Sequence, residues 1–305
     1  MRSLRMLAFA VSSTLALSAC GNSAPSTAGL ADLAGNAASL AGAAFVTGTA
    51  KAAQASPGTG DWAARKGGTP TGDAAAVAQR WVQLTAARAG DLDPVLVNGA
   101  GLTLYRFDKD NANPSKATCN GDCAAKWPPV TVKPGGRIFI AGVARKKVGV
   151  VKRDDGRLQI TVGGWPVYRF AQDTEPGDTK GQGIGDTWFG VRPDGGKAGV
   201  ESPAEPPAEQ ASVPAKRVVL FDRRSFNVFD DTASSQVIEG RTGCVNATTP
   251  GTASSIAFDG LVKVWSGPDC TGESKQLGAL DAENVGGIAD LRDIGFDNRI
   301  GSVKL

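Results

Sequence analysis

The two tyrosines of this 305-residue chain, Tyr105 and Tyr168, stand in the same phrase. Leu104-Tyr105-Arg106-Phe107 leads to Asp110 and then to Trp127, and Val167-Tyr168-Arg169-Phe170 leads to Asp173 and then to Trp188. Tyrosine to aspartate is five positions in both copies, and tyrosine to tryptophan is 22 positions in one and 20 in the other. A duplication this positional restricts residues 91–196 to two copies of one small unit. Between the landmarks the first copy has Cys119-Asn120-Gly121-Asp122-Cys123 and the second has Gly181-Gln182-Gly183-Ile184-Gly185. A covalent loop is exchanged for a glycine loop, and either lets the backbone turn tightly.

The runs 102–107, 137–140, 158–162 and 166–170 are short, rich in β-branched and aromatic residues, and bounded by Gly, Asp and Pro, so they read as strands. Side chains five apart on one strand point to opposite faces. Tyrosine and aspartate of one copy therefore meet only if the chain turns after the phenylalanine, for which Asp108-Lys109-Asp110-Asn111 and Gln172-Asp173-Thr174-Glu175 carry the turn chemistry. The structural reading makes each aspartate an acceptor for turn backbone and each tyrosine a packed ring with a satisfied hydroxyl. The functional reading makes the pair a metal or cofactor site. With Trp127-Pro128-Pro129 and Gly164-Trp165-Pro166, the stretch resembles the secreted bacterial lipoproteins built from Tyr-x4-Asp repeats, a family without an established activity.

Arg2 and Arg5 precede an apolar run at 6–17, the length of a signal-peptide core and too short to span a bilayer. Leu17-Ser18-Ala19-Cys20-Gly21 resembles a lipobox, which implies a signal peptide at 1–19 and a diacylglycerol on Cys20. Removing the leader takes two arginines from 33 basic residues and none from 30 acidic ones, leaving +1, so lipid rather than overall charge holds the protein at a membrane. Residues 20–72, rich in Ala, Gly, Ser and Thr, read as a flexible stalk. Residues 73–89 read as an amphipathic helix, capped by Thr71 or Asp73, with Val77, Trp81 and Leu84 on one face. The repeat domain, counted with this helix, runs over 73–200.

Residues 201–215 are proline-rich and read as a spacer before a second domain at 216–305. That domain echoes itself at an offset of 44: Phe221, Phe226 and Val228 correspond to Trp265, Cys270 and Gly272, and each half reaches a late serine, in Ser254-Ser255-Ile256 and Gly301-Ser302-Val303. This pattern resembles the βγ-crystallin Greek-key motif, whose folded hairpin uses a glycine and a serine. Val228 departs from it. With Cys244 and Cys270, the domain is similar to bacterial crystallin-type proteinase inhibitors, which implies inhibition of an extracellular proteinase. Asp297, Asn298 and Ser302 are weak calcium candidates, because Gly301 and Pro250-Gly251 interrupt the ligand pattern.

Five cysteines divide into Cys20 for lipid, a Cys119–Cys123 disulfide and a Cys244–Cys270 disulfide. A redox role for Cys119-x3-Cys123 lacks the Cys-x2-Cys spacing. Arg145-Lys146-Lys147 with Lys152-Arg153 reads as a solvated strand and turn. The chain has no histidine, and both methionines, Met1 and Met6, lie in the leader. Imidazole bases, His-ligated metals and methionine axial ligands are thereby excluded from the mature protein. The expectation is a mainly β, lipid-anchored, extracytoplasmic protein of the cell envelope with a duplicated β unit and a βγ-crystallin-like sandwich. It acts by binding a protein partner, an envelope component or a proteinase. It has no catalytic residue, cofactor, metal or nucleic-acid ligand. An envelope redox or cofactor-binding protein is the remaining alternative.

Overall fold

The computed structural model describes residues 42–64, 70–200, 213–278 and 286–305. The signal peptide, Cys20, the first half of the expected stalk and residues 201–212 of the spacer lie outside the described residues. The chain is mainly β, with two short α-helices, Gly72–Ala78 and Asp122–Lys126, among the described residues.

A four-stranded sheet runs in the order Ala44–Thr47, Arg137–Ala141, Trp81–Ala89, Leu92–Val97. The first three strands are parallel neighbours and the last is antiparallel. Two sequence expectations are corrected here. The stalk does not extend to Gly72: Ala44–Thr47 is a strand, and the turn behind it gives its Ala50 N–H to the Gln83 side chain at 2.7 Å. The helix expected over 73–89 stops at Ala78, and Trp81–Ala89 is a strand. Every residue of that strand except Arg88 is buried, because it lies inside the sheet with apolar clusters on both faces. A strand covered on both sides shows no alternation, and its tryptophan and leucine fit a helical spacing by accident.

Of the four strands expected, Arg137–Ala141 and Leu158–Val162 form over nearly the expected residues, while the others shrink to Tyr105–Phe107 and Trp165–Pro166. Leu158–Val162 pairs antiparallel with Val148–Lys152, Trp165–Pro166 and Thr131–Val132. Tyr105–Phe107 pairs with Trp188–Gly190, a strand of the other repeat.

The C-terminal half is a sandwich of two antiparallel sheets, Ser235–Glu239/Arg217–Phe221/Ser255–Phe258 and Cys244–Asn246/Ser302–Lys304/Val262–Trp265/Ser274–Leu277. Val218, Leu220, Ile256, Phe258, Val264 and Val303 fill its interior. The alternate residues Val219, Phe221 and Ala257 point the other way, with Phe226, into the core of the first half beside Leu84, Ala86 and Ile138. The two halves therefore share a core across the expected boundary. Arg217 Nε donates to Thr47 O at 2.8 Å, Lys51 Nζ to Ala233 O at 2.9 Å, and Gly142 N–H to Gly286 O at 3.1 Å across the same junction.

Candidate functional site

The repeat motif residues converge at one place, and they do so across copies. Tyr105 and Tyr168 exchange backbone hydrogen bonds, Tyr105 N–H to Tyr168 O at 2.8 Å and Tyr168 N–H to Tyr105 O at 2.9 Å. This exchange sends each hydroxyl to the opposite repeat: Tyr105 Oη donates to Asp173 Oδ2 at 2.6 Å, and Tyr168 Oη to Asp110 Oδ2 at 2.7 Å. A meeting of tyrosine and aspartate within one copy, by a turn after the phenylalanine, is not what forms. The turns do form. They deliver each aspartate to the partner repeat.

The phenylalanine and tryptophan rings follow the same rule. Trp127 and Trp188 stack at 3.8 Å with planes 1° apart. Phe107 lies on Trp188 at 4.1 Å and Phe170 on Trp127 at 4.4 Å, so each phenylalanine covers the other repeat's tryptophan. Each tyrosine meets its own tryptophan edge-on, Tyr105 with Trp127 at 5.5 Å and Tyr168 with Trp188 at 5.2 Å. Edge-to-face and offset contacts of this kind add to the burial of the rings themselves.

Both carboxylates have further donors. Asp110 Oδ1 accepts from Thr118 N–H at 2.7 Å and from Thr118 Oγ1 at 2.8 Å. Asp173 Oδ1 accepts from Lys180 N–H at 3.0 Å, and Gly181 N–H donates to Tyr105 Oη at 3.2 Å. Burial, with the neighbouring carboxylate, raises both tyrosines well above the usual phenol range, so they stay protonated donors. Burial also raises Asp110, and it pushes Asp173 up to about 6 against the lowering effect of the Tyr105 hydroxyl.

The exchanged loops frame this centre. Cys119 and Cys123 are bonded, with Cα atoms 5.2 Å apart, and the buried Cys119 packs with the rings. In the second copy a Cβ at Gly181 would lie 2.7 Å from the Tyr105 ring and 2.9 Å from Trp127, so only glycine lets this loop close on the cluster. Arg153, expected among solvated basic residues, is instead buried. It donates to Gln159 Oε1 at 2.6 Å, to Cys119 O at 2.7 Å and to Asn120 Oδ1 at 2.6 Å, and so ties the disulfide loop to the sheet.

Asp61 was invisible to sequence reasoning because it lies in the stretch read as stalk. Its Oδ2 accepts from Gln83 N–H at 2.8 Å and Gly99 N–H at 3.0 Å, and burial pushes it up to about 6, with the Arg169 charge opposing. Asp61 and Arg169 line a small cleft with Gln79, Asn98 and Pro129.

In the C-terminal half both late serines close folded hairpins. Ser255 Oγ accepts from Phe226 N–H at 3.1 Å and donates to Arg223 O at 2.6 Å; Ser302 Oγ accepts from Cys270 N–H at 3.0 Å and donates to Gly267 O at 2.7 Å. The offset of 44 holds for both partners. Val228 replaces the motif glycine without strain because its φ is −64°, the positive φ values of the first hairpin falling on Ser225, Phe226 and Asn227. Cys244 and Cys270 are bonded. Of the calcium candidates, Ser302 has its hydroxyl committed to the hairpin, and Asn298 Nδ2 donates to Asp297 Oδ2 at 3.2 Å. Among the described residues no three His, Cys, Asp or Glu side chains converge as a metal site.

A family model of a secreted repeat of unknown function matches the chain twice, at residues 88–131 and 149–192. The chain thus carries two copies of this extracytoplasmic repeat. Solved structures similar to it include a βγ-crystallin from Ciona intestinalis, 20% identical over 29% of this chain and 96% of that one, with a TM-score of 0.23. A βγ-crystallin from an archaeon is 18% identical over 30% of this chain and 98% of that one, with a TM-score of 0.24. No curated protein matches the sequence.

Proposed function

We propose that this protein is a non-catalytic binding protein of the cell envelope, held at a membrane by lipid on Cys20, that presents one rigid β surface to a protein or envelope partner. The observation that carries this reading is the crossed Tyr–Asp bonding. The most chemistry-bearing residues of the repeat, Tyr105, Tyr168, Asp110 and Asp173, are buried and spend their hydrogen-bonding capacity on one another and on loop backbone. A buried carboxylate whose two oxygens both accept from protein donors is a pin rather than a base or ligand. No cofactor enters this reading. The test is cross-linking of the mature protein to envelope partners in intact cells, with Tyr105→Phe/Tyr168→Phe as the comparison. Retained partners at a temperature where the variant is folded support it, and loss of partners or of a bound chromophore from a folded variant overturns it.

Inhibition of an extracellular proteinase is a second reading, favoured by the loop at 267–271. Pro268 and Asp269 are exposed, while the loop is held by the Cys244–Cys270 bond, by Ser302 and by paired hydrogen bonds of 2.9 and 2.7 Å between Asn246 and Asp269. Such preorganisation lowers the entropic cost of entering a cleft. A proteinase panel against the whole mature chain, with Cys244→Ala/Cys270→Ala beside it, tests this. Inhibition that weakens in the variant supports the reading, and no inhibition at micromolar protein ends it.

A further inference from the structure

Residues 123–153 contain eight basic side chains and no acidic one. Since the chain after leader removal sums to +1, the rest of it carries −7, and charge is strongly uneven along the sequence. The fold concentrates part of this charge around the point where the chain arriving from Cys20 joins the sheet. Gly42 lies against Gly135, with a Cβ at Gly42 falling 3.5 Å from Gly135 N, and Ala44 N–H donates to Gly136 O at 3.1 Å. Ala44 and Trp81 both pair with Arg137, and Arg137 N–H donates to Arg80 O at 3.1 Å. Lys133 closes the turn into the same strand, and the Arg145 guanidinium sits 4.4 Å over the ring of Phe45. Lys152 pairs with Leu158, which pairs with Val132, so Lys152 comes to the Lys133 end.

Elsewhere on the surface several basic residues have acidic partners: Arg88 with Asp93, Lys197 with Asp108, Arg292 with Asp290, Arg299 with Glu273. Arg80, Lys133, Arg137, Arg145 and Lys152 have no carboxylate within ion-pair distance among the described residues, and all but the half-buried Arg137 are exposed. A protein of net charge +1 that leaves five basic groups without a carboxylate partner beside its tether has a surface complementary to a polyanion.

We infer that this band rests on the anionic headgroups of the bilayer that holds the Cys20 lipid. The inference rests on the anchor reading for its geometry: 21 residues separate Cys20 from Gly42, so the band stays within about 80 Å of the membrane even at full extension. Each basic group near an anionic surface strengthens binding by roughly fivefold, and lipid plus a basic patch is a stable two-part anchor.

The test uses the mature chain from Gly21 onward, made without lipid, in co-sedimentation with vesicles of phosphatidylglycerol and phosphatidylcholine or of phosphatidylcholine alone. Binding to the anionic vesicles is expected to exceed binding to the neutral ones, and to fall at least about tenfold between roughly 50 and 300 mM salt. Lys133→Gln/Arg137→Gln/Arg145→Gln should lower it by roughly 100-fold, and Arg241→Gln/Lys304→Gln should leave it unchanged. Should the triple variant misfold, Lys133→Gln/Lys152→Gln, with an expected loss of roughly 25-fold, takes its place. Equal binding to both vesicle types, binding to neither, or undiminished binding by a folded variant overturns the inference. Lipid labelling of Cys20 in cells is read separately: an unlabelled Cys20 with salt-sensitive vesicle binding removes the anchor and leaves the band, and the converse removes the band and leaves the anchor.

Discussion

Tyr105 and Asp173 are 68 residues apart and belong to different repeats, yet a 2.6 Å hydrogen bond joins their side chains in the protein interior. Tyr168 and Asp110 repeat the arrangement in reverse, 58 residues apart.

Double-mutant cycles should follow the crossed pairs rather than the copies. Tyr105→Phe and Tyr168→Phe are each expected to cost about 0.5–2 kcal/mol, and Asp110→Ala about 2–4 kcal/mol because it strands the Tyr168 hydroxyl and both Thr118 donors. Tyr105→Phe with Asp173→Ala should be less than additive, whereas Tyr105→Phe with Asp110→Ala, within one copy, should come closer to additivity. Chemical denaturation of the single and double variants measures both, and coupling confined to one copy would contradict the structure.

Gly181→Ala puts a methyl group into the Tyr105 and Trp127 rings and should cost about 1–3 kcal/mol. The equivalent loop of the first copy is closed by a bond between residues four apart, whose removal in Cys119→Ala/Cys123→Ala is expected to cost about 2 kcal/mol from loop closure. Thermal unfolding under non-reducing conditions checks the two together.

Stability should rise as the solution is acidified from pH 7.5 to 5. Asp61 and Asp173 titrate at about 6 in the folded protein, above the unfolded carboxylate value near 4, so the native state holds extra protons between those values. Their contribution is complete below about pH 4 and is lost as pH climbs through 6. Asp155, held at about 2 by the Arg157 side chain, works oppositely and fails only in stronger acid. A melting temperature higher at pH 5 than at pH 7.5, with the difference reduced in Asp61→Asn, is the expected result.

Residues 213–305 expressed alone should be poorly stable. Separation exposes Val219, Phe221 and Phe226, each at most 1% accessible in the whole chain, at a cost of roughly 5 kcal/mol or more. Circular dichroism of the fragment against the whole chain decides this.

Replacing Cys20 by alanine is expected to move the protein from the membrane fraction to a soluble envelope fraction or the medium, because the lipid is the larger part of the proposed attachment. Fractionation and immunoblotting measure it.

The duplication, the late serines and the disulfide partners were legible because each is a matter of residue identity at fixed spacing. The crossing of the Tyr–Asp bonds was not, since equivalent positions in two copies leave no mark of which copy supplies the partner. Trp81–Ala89 escaped for a different reason. Gln83 and Thr85 interrupt its apolar run, and what buries them is the 49–55 turn, through Gln83 Oε1, in a stretch whose small residues suggested no structure. Asp61 was hidden with that turn. Arg153 was misread because a buried guanidinium looks the same in sequence as its solvated neighbours Lys146 and Lys152.

The reciprocal bonding also bears on how such a chain could arise. One repeat alone has a tyrosine without its aspartate and a tryptophan without its covering phenylalanine, and every missing group is supplied reciprocally by the other copy. These are the contacts of an isologous homodimer, in which residue i of one subunit meets residue j of the other and the reverse. The present chain has that symmetric pair written into one polypeptide, which removes the concentration dependence of assembly. It also frees the two copies to diverge, one keeping a disulfide and the other three glycines.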